Sequence, residues 1–137
     1  MDNKKICDAL NKARSRELAV TVQYMRQHYM AEGLASAQVA DILKDIAKTE
    51  MKHAESLGER ITYLGGTATT KPDPIKTATD LKQMIKDDLE AENEAVAMYR
   101  DIIKLCADEG DVTSRRMMEE LLEDEEEHVD QFQKLLA

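Results

Sequence analysis

Glu50-Met51-Lys52-His53 sets a carboxylate and an imidazole three residues apart, and Glu125-Glu126-Glu127-His128 repeats the arrangement. Residues at i and i+3 share a helix face, so each stretch aims an oxygen donor and a nitrogen donor at one point. A lone Glu precedes each stretch by 33 residues: Glu17 before Glu50, and Glu92 before Glu125. A Tyr follows each lone Glu by seven residues, Tyr24 and Tyr99. One Glu-x-x-His in a chain with 28 acidic residues is commonplace and usually a solvated pair; the repeated interval is not. Four helices contributing Glu, Glu-x-x-His, Glu and Glu-x-x-His carry the donor set of a di-iron or di-manganese carboxylate site.

Working outward, each of these donors falls in an apolar stripe with steps of three and four residues. The stripes are Leu10, Ala13, Glu17, Val20 and Tyr24; Leu43, Ile46, Glu50, His53, Leu57, Ile61 and Leu64; Ile85, Leu89, Glu92, Val96, Tyr99 and Ile103; and Met118, Leu121, Glu125, His128, Phe132 and Leu135. That period is helical and points each stripe at a core. Buried carboxylates repel one another and are costly unless cations neutralise them, so two divalent ions are expected among them. On the last helix Asp124, at i and i+4 to His128, is the alternative ligand to Glu125. Glu90 and Glu94 should face solvent, and His28 lies about three turns from Glu17, roughly 16 Å away. Tyr24 and Tyr99 should each reach a carboxylate on another helix. Asp88, one turn before Glu92, could accept an N–H from a ligand histidine across the bundle; its mate in the other half, Ala13, could not.

Glycine and proline punctuate this pattern. Helices are expected over about Asn3–Glu32, stopped by Gly33; about Ser36–Leu64, N-capped by Ser36 and ended by Gly65-Gly66; from a capping box at Thr77 and Asp80 to about Asp108, closed by Gly110; and from a cap at Asp111 or Thr113 nearly to Ala137. Gly58 interrupts the second helix and calls for close packing there. The first and last connections are short, so each joins antiparallel neighbours. The middle connection holds both prolines, Pro72 and Pro74, and extends about 40 Å at roughly 3.3 Å per residue. A helix of about 28 residues is about 42 Å long, so this connection can cross the whole bundle. The expected fold is all-α: one four-helix bundle domain over residues 1–137, with one long crossover and a duplicated helical hairpin about a pseudo-two-fold axis.

Composition narrows the function classes. The net charge of −9 argues against nucleic-acid binding and favours metal cations. Cys7 and Cys106 form no C-x-x-C and read as small buried apolar residues. No apolar run approaches a membrane span or a secretory leader, which makes the cytoplasm the expected compartment and a membrane partner unexpected.

The stretches Glu17-Leu18-Ala19-Val20-Thr21-Val22-Gln23-Tyr24, Glu50-Met51-Lys52-His53-Ala54, Asp88-Leu89-Glu90-Ala91-Glu92 and Asp124-Glu125-Glu126-Glu127-His128 resemble the bacterioferritin branch of the ferritin superfamily. The resemblance implies a ferroxidase centre holding two iron ions per chain. Glu17 and Glu92 would be terminal ligands, Glu50 and Glu125 bridging ligands, and His53 and His128 one nitrogen ligand for each iron. It implies oxidation of ferrous iron by O2 or H2O2 and storage as a ferric mineral within a homo-oligomer. It further implies Met51 as an axial haem ligand, one haem per two chains on a two-fold axis, with Met25 and Met51 in the dimer patch. The chain ends at Ala137, where bacterioferritins usually carry a short fifth helix. A shell of about 12 subunits, built from two-fold dimers, is therefore expected rather than one of about 24. The alternative function is a rubrerythrin-like peroxide-reducing di-iron protein, which usually carries a Cys-ligated iron module that has no counterpart here.

Overall fold

The computed structural model describes residues 1–34 and 36–137. Four helices account for most of them: α1 (Asn3–Met30), α2 (Ser36–Tyr63), α3 (Leu81–Glu109) and α4 (Val112–Leu136). The termini follow local chemistry. Asp2, Asp80 and Asp111 cap α1, α3 and α4, each accepting from a backbone N–H three residues on, which satisfies a donor the helix cannot use internally. Gly110 closes α3 at φ +76°, a left-handed conformation that suits glycine. Two expectations shift. Ser36 is the first residue of α2 rather than its cap, and its hydroxyl donates to the Gly33 carbonyl. Thr77 does not open α3; Asp80 does, because its carboxylate reaches the Gln83 N–H.

The middle connection tracks along α1 residue by residue. Asn3 donates to the Leu64 carbonyl, Asn11 pairs with Thr67 and Thr69, and Arg14 donates to Thr69. Asp73 N–H donates to Ser15, Lys76 N–H to Gln23, and Arg26 to Thr77 and Ala78. These contacts climb α1 from one end to the other, so α3 starts where α2 started and the two run parallel. α1 packs on α2 and α3, and α4 packs on α3 and α2. Every adjacent pair is therefore antiparallel. Gly58 earns its place here: a Cβ would stand 3.0 Å from the Arg14 guanidinium, which donates to the Ala54 carbonyl.

Two apolar clusters flank the middle of the bundle. One gathers Ile6, Leu10, Leu57, Ile61, Tyr99 and Met118; the other gathers Val20, Tyr24, Leu43, Ile46, Ile85 and Phe132. Along α3 the buried stripe is rotated by one residue from the expected one. Asp88, Ala95 and Ile102 are buried, whereas Leu89, Val96 and Ile103 are half-buried on its flank. Glu92 and Tyr99 stay at its centre. No helix among the described residues is long and apolar enough to cross a membrane.

Candidate metal centre

Between the two clusters the core turns polar. Glu17, Glu50, Glu92 and Glu125 are completely buried, and His53 and His128 nearly so. Two overlapping groups of donors result: Glu17, Glu50, His53 and Glu125, and Glu50, Glu92, Glu125 and His128. Within each group one atom per residue lies within 4.8 Å of all the others, and Glu50 and Glu125 belong to both. All six sequence-derived donors meet in one place.

The donors are held from behind. Tyr24 donates to Glu92 across the bundle at 2.9 Å, and Tyr99 donates to Glu17. His53 Nδ1 lies 3.1–3.2 Å from carboxylate oxygens of Glu17, Glu50 and Glu125, while its Nε2 is 2.8 Å from Asp124. Asp124 is thus a partner of His53 from α4 rather than the alternative to Glu125; its side chain is 45% exposed. His128 Nδ1 faces Glu92 at 3.5 Å and Glu50 at 3.6 Å. Asp88 departs from expectation: Gln23 and Gln27 donate to it at 2.9 and 2.8 Å, since both amides project from α1 toward α3. Glu90 and Glu94 are exposed, and His28 turns away to the Ala40 carbonyl.

Sequence reasoning missed Arg16. It is buried, and its Nη1 lies 2.6 Å from Glu17, 2.7 Å from Glu50 and 2.8 Å from Glu125. Its Nη2 lies 3.0 Å from Glu92. Being adjacent to Glu17, it sits about 100° round the helix from the stripe, where a charged side chain reads as solvated. The available signal was its counterpart in the duplicated half, the small Ala91, whose carbonyl Arg16 also approaches at 3.3 Å.

Electrostatics follow from this crowding. Burial raises Glu50 and Glu125 above the ordinary carboxylate range, and neighbouring carboxylates add to the rise. Burial opposes ionisation of Glu92 too, but Arg16 and His128 outweigh it and hold Glu92 ionised, well below the usual range. Burial disfavours charge on His53, yet the Glu17 and Glu50 carboxylates beside it prevail and push it up to about 11. His128 rises for the same reason, with Glu92 as its partner. Burial lifts the Tyr24 and Tyr99 phenols well above their normal range, so both remain hydrogen-bond donors.

The donor set fits a pair of divalent cations. Oxygens of Glu17, Glu50 and Glu125 crowd within 3.1–3.2 Å of the single His53 Nδ1, whose hydrogen bond goes to Glu17, so the buried Glu50 Oε1 and Glu125 Oε1 are left without one. Orphaned buried acceptors of this kind carry a large desolvation cost, which coordination would remove. Mixed O/N donors suit iron, manganese and related ions.

The sequence matches the ferritin-like domain family over residues 7–137. It is 34% identical over 132 residues to a bacterioferritin from Desulfovibrio desulfuricans, covering 96% of this chain and 74% of that protein. It is 32% identical to a bacterioferritin from Rhodobacter capsulatus, covering 92% of this chain and 79% of that one. The chain therefore belongs to the ferritin-like family, on its bacterioferritin branch. Solved structures agree. The D. desulfuricans bacterioferritin, described with a di-iron site in different catalytic states, superposes with a TM-score of 0.93 at 32% identity, over 98% of this chain and 79% of that one. The R. capsulatus protein, described with a metal-free dinuclear site and a haem iron in a crystallographic special position, gives 0.92 at 30% identity, over 97% and 84%. A ferritin-like di-iron carboxylate protein from Bacillus anthracis gives 0.96 at 25% identity, over 100% and 99%.

Proposed function

We propose that this protein is a ferroxidase that oxidises ferrous iron with O2 or H2O2 and stores or detoxifies the product within a homo-oligomeric shell. The observation carrying this reading is the pair of donor groups that share Glu50 and Glu125. Glu17, Glu50, His53 and Glu125 would hold one iron; Glu50, Glu92, Glu125 and His128 the other. When bound, the two irons supply the one-electron redox chemistry.

The chain's own residues prepare for that chemistry. The Tyr99 and Tyr24 hydroxyls donate to Glu17 and Glu92 and fix the carboxylate rotamers. Asp124 holds His53 Nε2, which turns Nδ1 toward the carboxylates. Both imidazoles must give up a proton to bind metal, so ferrous uptake releases protons. The flanking apolar clusters limit water at the site. Anaerobic ferrous titration followed by O2 or H2O2 tests the reading. Two ferrous ions per chain and rapid ferric absorbance are expected, and the faster oxidant identifies the physiological one. No saturable ferrous binding would sink it.

Met51 would be a haem ligand. It is 54% exposed, on a side of α2 turned away from the buried Glu50 and His53. That surface would be the two-fold dimer interface, with one haem between two Met51 sulfurs. Two thioether ligands give a low-spin haem. Met51→Leu should abolish the Soret band and leave ferrous oxidation intact; wild-type protein purified from haem-replete cells without that band would leave Met51 an ordinary interface residue. Residues 1–137 would act as one domain in the cytoplasm, in a closed shell of about 12 subunits assembled from dimers. Analytical ultracentrifugation decides the size.

A further inference from the structure

We propose that Arg16 is a resident cation of the carboxylate cluster and sets the metal affinity of the centre, because it must withdraw for metal to bind. This role rests on the di-metal reading above. The guanidinium touches Glu17, Glu50, Glu92 and Glu125, the four carboxylates that the two donor groups use. Carboxylate oxygens approach a divalent ion to roughly 2 Å. Nη1 holds Glu17 Oε1, Glu50 Oε2 and Glu125 Oε2, so while it stays, Glu50 and Glu125 would have only their Oε1 atoms to offer two ions. Guanidinium also stays protonated throughout the physiological range. It cannot yield by losing charge, so it has to move.

The fold offers it a destination. Arg16 lines a groove of about 130 Å³ between α1, α3 and the crossover. Asp73, Asp87, Glu90 and Glu94 line the same groove. The other cation there, Lys76, already pairs with Glu90 at 3.4 Å. Ala91, in the counterpart position to Arg16, lines the same groove, and its carbonyl lies 3.3 Å from Arg16 Nη2. The guanidinium therefore has two acidic environments, one inside the cluster and one outside it. Metal binding selects the outer one by competing for the inner oxygens. Arg16 thereby weakens binding of any divalent ion, while lending the apo-protein a charge its carboxylates need.

Cobalt titration tests this without reference to turnover. Co2+ binding to apo-protein is followed by calorimetry and by the visible absorption of the bound ion, in wild type, Arg16→Gln, Arg16→Lys and Glu50→Ala. Removing a unit charge at contact distance should tighten Co2+ binding in Arg16→Gln at least about tenfold. The same variant should melt at lower temperature without metal. Arg16→Lys, which keeps the charge and loses the fork, should fall between it and wild type. Two Co2+ per wild-type chain with Arg16→Gln no tighter overturns the arginine's role and spares the di-metal reading. Equal Co2+ uptake by wild type and Glu50→Ala overturns both. Should Arg16→Gln fail to fold, the Arg16 Nε resonance of wild type, assigned by its loss in Arg16→Lys, is followed during Zn2+ addition. A resonance moved at two Zn2+ per chain supports withdrawal, and one unmoved refutes it.

Discussion

In the α1–α2 hairpin, Glu17, Tyr24, Glu50 and His53 stand where Glu92, Tyr99, Glu125 and His128 stand in the α3–α4 hairpin, 75 residues later. Even the crossed bonds match, Tyr24 to Glu92 and Tyr99 to Glu17. One layer out, the likeness ends. Asp124 braces His53, but its counterpart Thr49 bonds back to the Asp45 carbonyl of its own helix, and among the described residues His128 has no such brace. Gln23 and Gln27 support Asp88, whose counterpart is Ala13. Arg16 reaches into the cluster, and Ala91 has no side chain to match it. On the di-metal reading, the six donors are constrained by what two similar cations require. The groups behind them meet no such requirement, and there the halves have diverged. Two chemically like positions thus acquire unlike surroundings.

The sharpest test of the shared layer is to remove it. Glu50→Ala and Glu125→Ala each delete a donor common to both groups. Both should abolish rapid ferrous oxidation, equally, while the bundle still folds by circular dichroism. A large difference between the two in stopped-flow rates would break the symmetry. The outer layer predicts inequality instead. Asp124→Asn loosens the His53 imidazole and should weaken metal binding about 10–100-fold, as loss of such a partner does. Thr49→Ala should leave Kd unchanged, because Thr49 touches no histidine. Equal effects would mean that His128 has a brace the geometry does not reveal.

Proton competition gives a third test. His53 is held near 11 in the folded bundle against an ordinary value of 6.5. Its contribution to apo-protein stability is therefore complete below pH 6.5 and lost as pH rises through 11. His128 adds to the same trend. The melting temperature of the metal-free protein should fall between pH 7 and pH 10, and metal affinity should rise over that interval as protons cease to compete. A melting temperature that climbs with pH would contradict the placement of both histidines. The smallest effects belong to the tyrosines. Tyr24→Phe and Tyr99→Phe each remove one bond to a carboxylate and should cost about 1–3 kcal/mol by chemical denaturation, by like amounts in the two halves.

The convergence of the six donors was legible in the sequence because it rests on fixed spacing along apolar stripes, and both spacing and stripe survive in the letters. The crossover was legible because loop length and helix length can be compared. The outer layer was not. Arg16 carries a full charge off the stripe, and only its contacts from other helices reveal that it turns inward. Asp124 lies one residue from Glu125 on a helix rich in acids, and only the packing of α2 against α4 shows that it contacts His53. The one-residue rotation of the α3 stripe has a similar origin. Leu89 and Ile103 are apolar enough for the core but find half-buried places at the flanks of the clusters.

The antiparallel relation of every neighbouring helix pair has a consequence for the field at the centre. Each end of the bundle collects two helix N-termini and two C-termini, so the partial charges of the peptide dipoles cancel there. The centre lies near the middle of all four helices, several turns from any terminus, where such dipoles act weakly in any case. The backbone thus supplies almost no axial potential. Whatever potential an arriving cation would meet is written almost wholly by side chains, and it can be retuned by single substitutions without altering the scaffold.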